Sequence, residues 1–102
     1  MNNKKVISSV KSAVLKIDKN AVLILFGSRA RGDNRTDSDW DFLILTDLPE
    51  NRKTKDIFRE LIFDTELELE EPISTIIHNK SVWTDYEVTP LYKIIQKEGK
   101  KL

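Results

Sequence analysis

Two short motifs in this chain carry the residue types that phosphate and metal chemistry require. Gly27-Ser28 follows an apolar run, Ala21 to Phe26, and Asp39-Trp40-Asp41 leads into a second run, Phe42 to Leu45. A glycine-serine turn at a strand end offers a backbone amide and a hydroxyl, both suited to phosphate oxygens. Asp39 and Asp41 stand at alternate positions, so on a strand their carboxylates share one face. Same-side carboxylates suit a hard divalent cation such as magnesium. The loop between the motifs is basic, with Arg29, Arg31 and Arg35. Arg29 or Arg31 could fork onto phosphate oxygens. A phosphate cradle facing a magnesium site is the equipment for nucleotidyl transfer.

The elements that must position these residues can be read from apolar spacing. Val6, Val10, Ala13, Val14 and Ile17 recur at helical intervals, which predicts a helix over about 3–18. The continuous apolar run Ala21 to Phe26 predicts a buried strand. A short helix is expected from Ser28 to Arg31, ended by Gly32-Asp33-Asn34. Trp40 to Thr46 reads as the second strand, and alternation turns Trp40 away from the two aspartates into the packing. A helix over about 52–69 presents Ile57, Phe58, Leu61, Ile62, Thr65 and Leu69 on one face, with its end left open because Glu66-Leu67-Glu68-Leu69-Glu70 also alternates like a strand. Pro72 precedes a third strand, Ile73 to His78. Thr89 caps a last helix with Pro90 at its first position, carrying Leu91, Ile94 and Ile95 inward and stopping near Gly99. The expected fold is α/β (α+β): a small mixed sheet of about three strands with helices packed on one face. Residues 1–102 are expected to form a single domain, large enough for a modest core.

Composition narrows the classes. Lys plus Arg equals Asp plus Glu at 17 each, so net charge supplies no general attraction to nucleic acid or membrane, and neither is an expected partner. Cysteine is absent, so there is no disulfide framework and no thiolate metal site. A reducing cytoplasm suits such a chain and is the expected location. The polar, lysine-bearing start shows no signal-peptide core, and no long apolar run appears.

The same residues resemble a known pattern: Gly-Ser, ten residues, then Asp-x-Asp, here Gly27-Ser28 and Asp39-Trp40-Asp41. The pattern is that of the nucleotidyltransferase superfamily that includes DNA polymerase beta. Within it the chain resembles the minimal nucleotidyltransferases, which are often paired with HEPN-domain proteins in toxin–antitoxin systems. The Ala30-Arg31-Gly32 step, Ser38-Asp39, and the tail Thr89-Pro90-Leu91-Tyr92 with Glu98-Gly99 also fit. The resemblance implies a nucleotidyltransferase fold, ATP or another nucleoside triphosphate as substrate, and one or two magnesium ions held by Asp39 and Asp41. It also implies Gly27, Ser28 and Arg29 at the nucleotide, with Asp39 and Asp41 as the catalytic pair. Active members carry a third carboxylate on a later strand. By position that place falls near Ser74, on a strand without an acid. Glu70 and Glu71 lie just upstream and read as a solvated helix end, and His78 reads as a strand-end surface histidine. Trp83, Tyr86 and Tyr92 read as core edge in preference to a base-stacking platform.

Two functions follow. One is transfer of a nucleoside monophosphate, AMP from ATP, to an acceptor such as a hydroxyl of a partner HEPN toxin. The other is a binding module of the same fold that neutralises its partner by contact, without turnover. The complete Gly-Ser and Asp-x-Asp pair favours the first, and the missing third acid favours the second.

Overall fold

The computed structural model describes residues 3–102. Helix α1 spans Asn3–Ile17 and buries the stripe Val6, Val10, Ala13 and Val14. Strand β1 is Val22–Phe26, and the short helix α2, Ser28–Arg31, follows with Gly27 as its N-cap residue. Strand β2 is Trp40–Thr46. Helix α3, Arg52–Leu69, begins where the Asn51 side chain accepts the Thr54 N–H at 2.9 Å, satisfying a donor the helix itself cannot. Strand β3 is Ile73–Asn79 and runs into α4, Lys80–Trp83. Thr89 caps α5, Pro90–Glu98, with Pro90 in its first turn, and a two-residue strand β4, Lys100–Lys101, ends the chain.

The sheet order is β3-β2-β1-β4. β1 is antiparallel to β2 and β4, while β2 and β3 are parallel. Parallel neighbours need a crossover, and α3 supplies it, so β2 and β3 start at the same end of the sheet. That end also receives the end of β1.

The mixed α/β class holds, with two differences from the expected arrangement. The sheet has four strands, because the last residues add β4 to the edge of β1; a two-residue strand of lysines has no apolar signature. Helices cover both faces instead of one. On the first face α1 and α3 pack Val6, Val10, Phe58 and Ile62 against Leu23, Leu25, Trp40, Phe42 and Ile44. On the second, Trp83 of α4 and Ile95 of α5 pack on Leu43, with Ile24, Phe26, Leu45, Ile76 and Tyr92 around them. β1 and β2 are apolar on both sides, and a second cover is what such strands require. Of the three residues expected inward on α5, Ile95 is buried, while Leu91 and Ile94 are exposed. No helix among the described residues is long and apolar enough to cross a membrane.

The α5–β4 corner depends on Gly99. A Cβ there would lie 2.5 Å from the Ile95 carbonyl oxygen and 2.8 Å from Ile24 Cγ2. Helix end and sheet therefore touch through bare backbone. Gly99→Ala is expected to destabilise the fold by about 1–3 kcal/mol, the usual cost of overpacking, seen as a lower urea midpoint; an unchanged midpoint would show that the corner relaxes freely.

Candidate active site

Strand pairing assembles the site. Asp41 is the register partner of Phe26 at the end of β1 and of Ser74 at the start of β3. Paired residues share a face, so Asp41 and Ser74 lie on the same face at one end of the sheet. Asp39, two residues before Asp41, faces the same way, and Ser74 Oγ approaches Asp39 Oδ2 at 3.5 Å. Trp40 points to the opposite face, 2% exposed, with its ring parallel to Phe42 and the Arg29 guanidinium 4.5 Å above it. The Trp40 backbone N–H donates to the Pro72 carbonyl at 2.9 Å, while its buried indole N–H has no partner among the described residues.

The Gly27-Ser28 turn closes over Asp41. Gly27 has φ 77° and ψ −161°, a region that is costly for any residue with a Cβ. A Cβ at Gly27 would also lie 2.3 Å from Asp41 Oδ2, so the carboxylate packs on the bare side of the glycine. The Gly27 carbonyl accepts the N–H groups of Ala30 and Arg31, each at 3.1 Å. The Gly27 N–H donates to Glu98 Oε1 at 3.0 Å. The Ser28 hydroxyl has no hydrogen-bond partner among the described residues.

The two arginines divide differently from expectation. Arg29, expected at the nucleotide, is tied into the loop: its Nε and Nη2 donate to the Ser38 carbonyl at 3.3 and 3.0 Å, and Nη2 also to Thr36 O at 3.2 Å. Glu71 stands 4.0 Å away, and only 8% of the Arg29 side chain is exposed. Its guanidinium lies on the Trp40 side of the sheet, away from the aspartates. Arg31 instead belongs to the acidic cluster. Its Nη1 lies 3.1 Å from both Glu98 carboxylate oxygens, and its Nε donates to Asp33 at 3.1 Å.

Neither upstream glutamate joins the aspartates. Glu70 ends α3 in a left-handed conformation, φ 55°, and is exposed, while Glu71 faces Arg29. His78 shares the Ser74 face but sits at the far end of β3. It is not a surface histidine: Nδ1 lies 2.6 Å from Glu50 Oε2, and the ring packs on Tyr86 and Trp83 at 4.7 and 5.6 Å. Trp83 and Tyr92 complete this stack as core. The residue that spacing did not place at the site is Glu98, 71 positions from Gly27; its only trace in the sequence is the Glu98-Gly99 tail step.

The electrostatics fit a cation. Burial pushes the Asp41 carboxyl above its ordinary range, the Asp39 and Glu98 carboxylates push the same way, and Arg31 opposes them. A same-face carboxylate pair beside an open turn is a donor set suited to magnesium. Among the described residues no set of three metal-ligating side chains gathers, so any ion held here needs further oxygens from elsewhere. A groove lined by Ser12, Lys16, Asp64 and Glu68 between α1 and α3 lies on the opposite face, so the site is an open surface and not that groove.

Residues 7–102 match the nucleotidyltransferase domain model. The chain belongs to that family. Its fold is similar to that of solved toxin–antitoxin structures. One, a toxin–antitoxin with AMP-PNP, has a TM-score of 0.66 at 21% identity, over 99% of this chain and 72% of the other. A mutant of the toxin–antitoxin MntA-HpeT gives 0.64 at 22% identity, over 100% and 72%. A second mutant of that pair, with two aspartates changed to glutamate, gives 0.65 at 19%, over 99% and 72%. No curated protein matches the chain at a significant level.

The raised Asp41 pKa has a consequence for stability. A carboxyl whose folded pKa exceeds its ordinary value of 3.8 loses stability as pH rises from that value through the folded pKa. Asp41→Asn is therefore expected to raise Tm at pH 7 in buffer free of divalent cations, with the gap closing below about pH 3.8. A lower Tm for the variant at pH 7 would mean that the charged carboxylate is a net stabiliser.

Proposed function

We propose that this nucleotidyltransferase-family chain, taken as a single domain over 1–102, transfers AMP from magnesium ATP to an acceptor hydroxyl on a partner protein, a HEPN-type toxin. The observation that carries the reading is the placement of Asp39 and Asp41 on one face directly under the Gly27-Ser28 turn. The likeness to toxin–antitoxin structures, one of them with AMP-PNP, supports the partner and the nucleotide class.

Asp39 and Asp41 would hold one or two magnesium ions. Magnesium there would draw charge from the phosphates and supply the electrostatic stabilisation on which phosphoryl chemistry depends. Gly27 lets the Asp41 carboxylate sit against the turn without a Cβ between them, and the Ser28 hydroxyl and amide would donate to triphosphate oxygens. Arg31 is the arginine on the correct side to meet phosphate, in place of Arg29. The acceptor oxygen bonds to the α-phosphorus, the bond from that phosphorus to the bridging oxygen breaks, and pyrophosphate leaves. The acceptor proton needs a base, and Ser74 stands where a third carboxylate would provide one. That substitution is also the observation that favours the second reading, a contact-only antitoxin with slow turnover or none.

Three measurements test the reading. Asp39→Asn with Asp41→Asn should abolish magnesium-dependent ATP binding in calorimetry while the protein stays folded; equal affinity would reject the site. Ser28→Ala should weaken triphosphate binding roughly ten- to a hundred-fold, since a hydrogen bond to a charged group contributes about 1.5–3 kcal/mol. With labelled ATP, magnesium and the cognate partner, Ser74→Asp should raise transfer by ~10²-fold if a base is what is lacking. No transfer from wild type or Ser74→Asp, with partner binding intact, would leave the contact-only module.

A further inference from the structure

Resting on the nucleotidyl-transfer reading, we propose that Glu98 is a positioning residue for the phosphate site. Its carboxylate holds the Gly27 amide and the Arg31 guanidinium in the arrangement that receives the triphosphate. Both oxygens are engaged by N–H donors: Oε1 accepts from Gly27 N at 3.0 Å, and Arg31 Nη1 lies 3.1 Å from each oxygen. A carboxylate occupied in this way orients donors and does not act as a third metal ligand.

Each contact controls a group at the site. Glycine reaches many backbone conformations at little cost, so the contacts around Gly27 decide which one the turn keeps. Its carbonyl is held by Ala30 and Arg31 and its amide by Glu98. Releasing the amide frees the Phe26–Gly27 peptide, and with it the glycine conformation from which Ser28 starts. On Arg31, Asp33 takes Nε and Glu98 takes Nη1, while Nη2 has no partner among the described residues. A guanidinium is a rigid planar fork. Fixing two of its nitrogens fixes where the third points, on a guanidinium whose charge is felt at Asp41.

The chain end is built to deliver this carboxylate. Glu98 is the last residue of α5, and only 17% of its side chain is exposed. Gly99 lets the helix end meet Ile24 without a Cβ between them. β4 then pairs with Ile24 and Leu25, and the Leu102 N–H donates to Leu23 O at 2.9 Å. Both ends of the residue are anchored to β1, the strand that ends in the turn.

The test uses the full chain with Glu98→Ala and Glu98→Gln, each alone and combined with Arg31→Ala, titrated with magnesium ATP by calorimetry at a temperature where every variant is folded. Glu98→Ala should weaken binding by ~10-fold or more, and Glu98→Gln, which keeps an acceptor for the Gly27 amide, should recover most of that loss. Arg31→Ala should cost much less in the Glu98→Ala background than in wild type, because the two residues act as one unit. Wild-type affinity in Glu98→Ala, tighter binding than wild type, or additive losses would each overturn the proposal. Absence of magnesium ATP binding by wild type would instead overturn the nucleotidyl-transfer reading. Amide exchange at Gly27 then judges Glu98 separately: faster exchange in Glu98→Ala supports its hold on the turn, and unchanged exchange overturns it.

Discussion

Burial of Trp40 between two aspartates is the constraint from which the site follows. The indole is almost fully enclosed on the α1–α3 face, alongside Phe42 and beneath the Arg29 guanidinium. An aromatic of that size cannot be moved to solvent without a large loss of buried apolar area. Because strand side chains alternate, fixing Trp40 inward fixes Asp39 and Asp41 outward. A slip of one residue would put both carboxylates into the core and Trp40 into water, so the register is strongly determined.

Topology then decides what stands beside those carboxylates. The β2–α3–β3 crossover brings the start of β3 next to Asp41, and the antiparallel β1 brings its end, with the Gly27-Ser28 turn, to the other side. The result concentrates negative charge at one end of the sheet. Burial and the neighbouring carboxylates make ionised Asp41 unfavourable, and Arg31 only partly compensates. Such an arrangement suits the proposed magnesium nucleotide, since magnesium tolerates few protein ligands when a nucleotide supplies the remainder. On β3, Ser74 is the residue paired with Asp41, so no acid stands there.

The basic loop shows how residues of one type separate by environment. Arg29 is buried and satisfied by the Ser38 and Thr36 carbonyls, so it shapes the loop that leads into Asp39. Arg31, two residues later on a short helix, emerges on the opposite side and meets Glu98. Glu98 gathers charge-assisted hydrogen bonds from two groups at once, a part-buried one from the Gly27 amide and a more exposed one from Arg31. The chain's last residues are thereby coupled mechanically to its first functional turn.

Much of this was legible in the sequence because it depends on local period and spacing. The α1 stripe Val6, Val10, Ala13 and Val14, the apolar face of α3, the span of β2 and the inward Trp40 all follow from side-chain periodicity, which needs no knowledge of neighbours. The Gly-Ser and Asp-x-Asp motifs could be placed at strand ends for the same reason, whereas the family resemblance is what puts Ser74 near the aspartates. Only tertiary structure decided the rest. Which arginine faces the carboxylates depends on how a four-residue helix sits on the sheet. His78 is drawn into a stack with Trp83 and Tyr86 by elements later in the chain, and on α5 only Ile95, and not Leu91 or Ile94, reaches the cluster around Leu43 and Trp83. Glu98 reaches Gly27 across 71 residues because a glycine corner and a two-residue strand fold the chain end back. Contacts at such separation are set by the packing of the whole domain and leave no periodic signal along the chain.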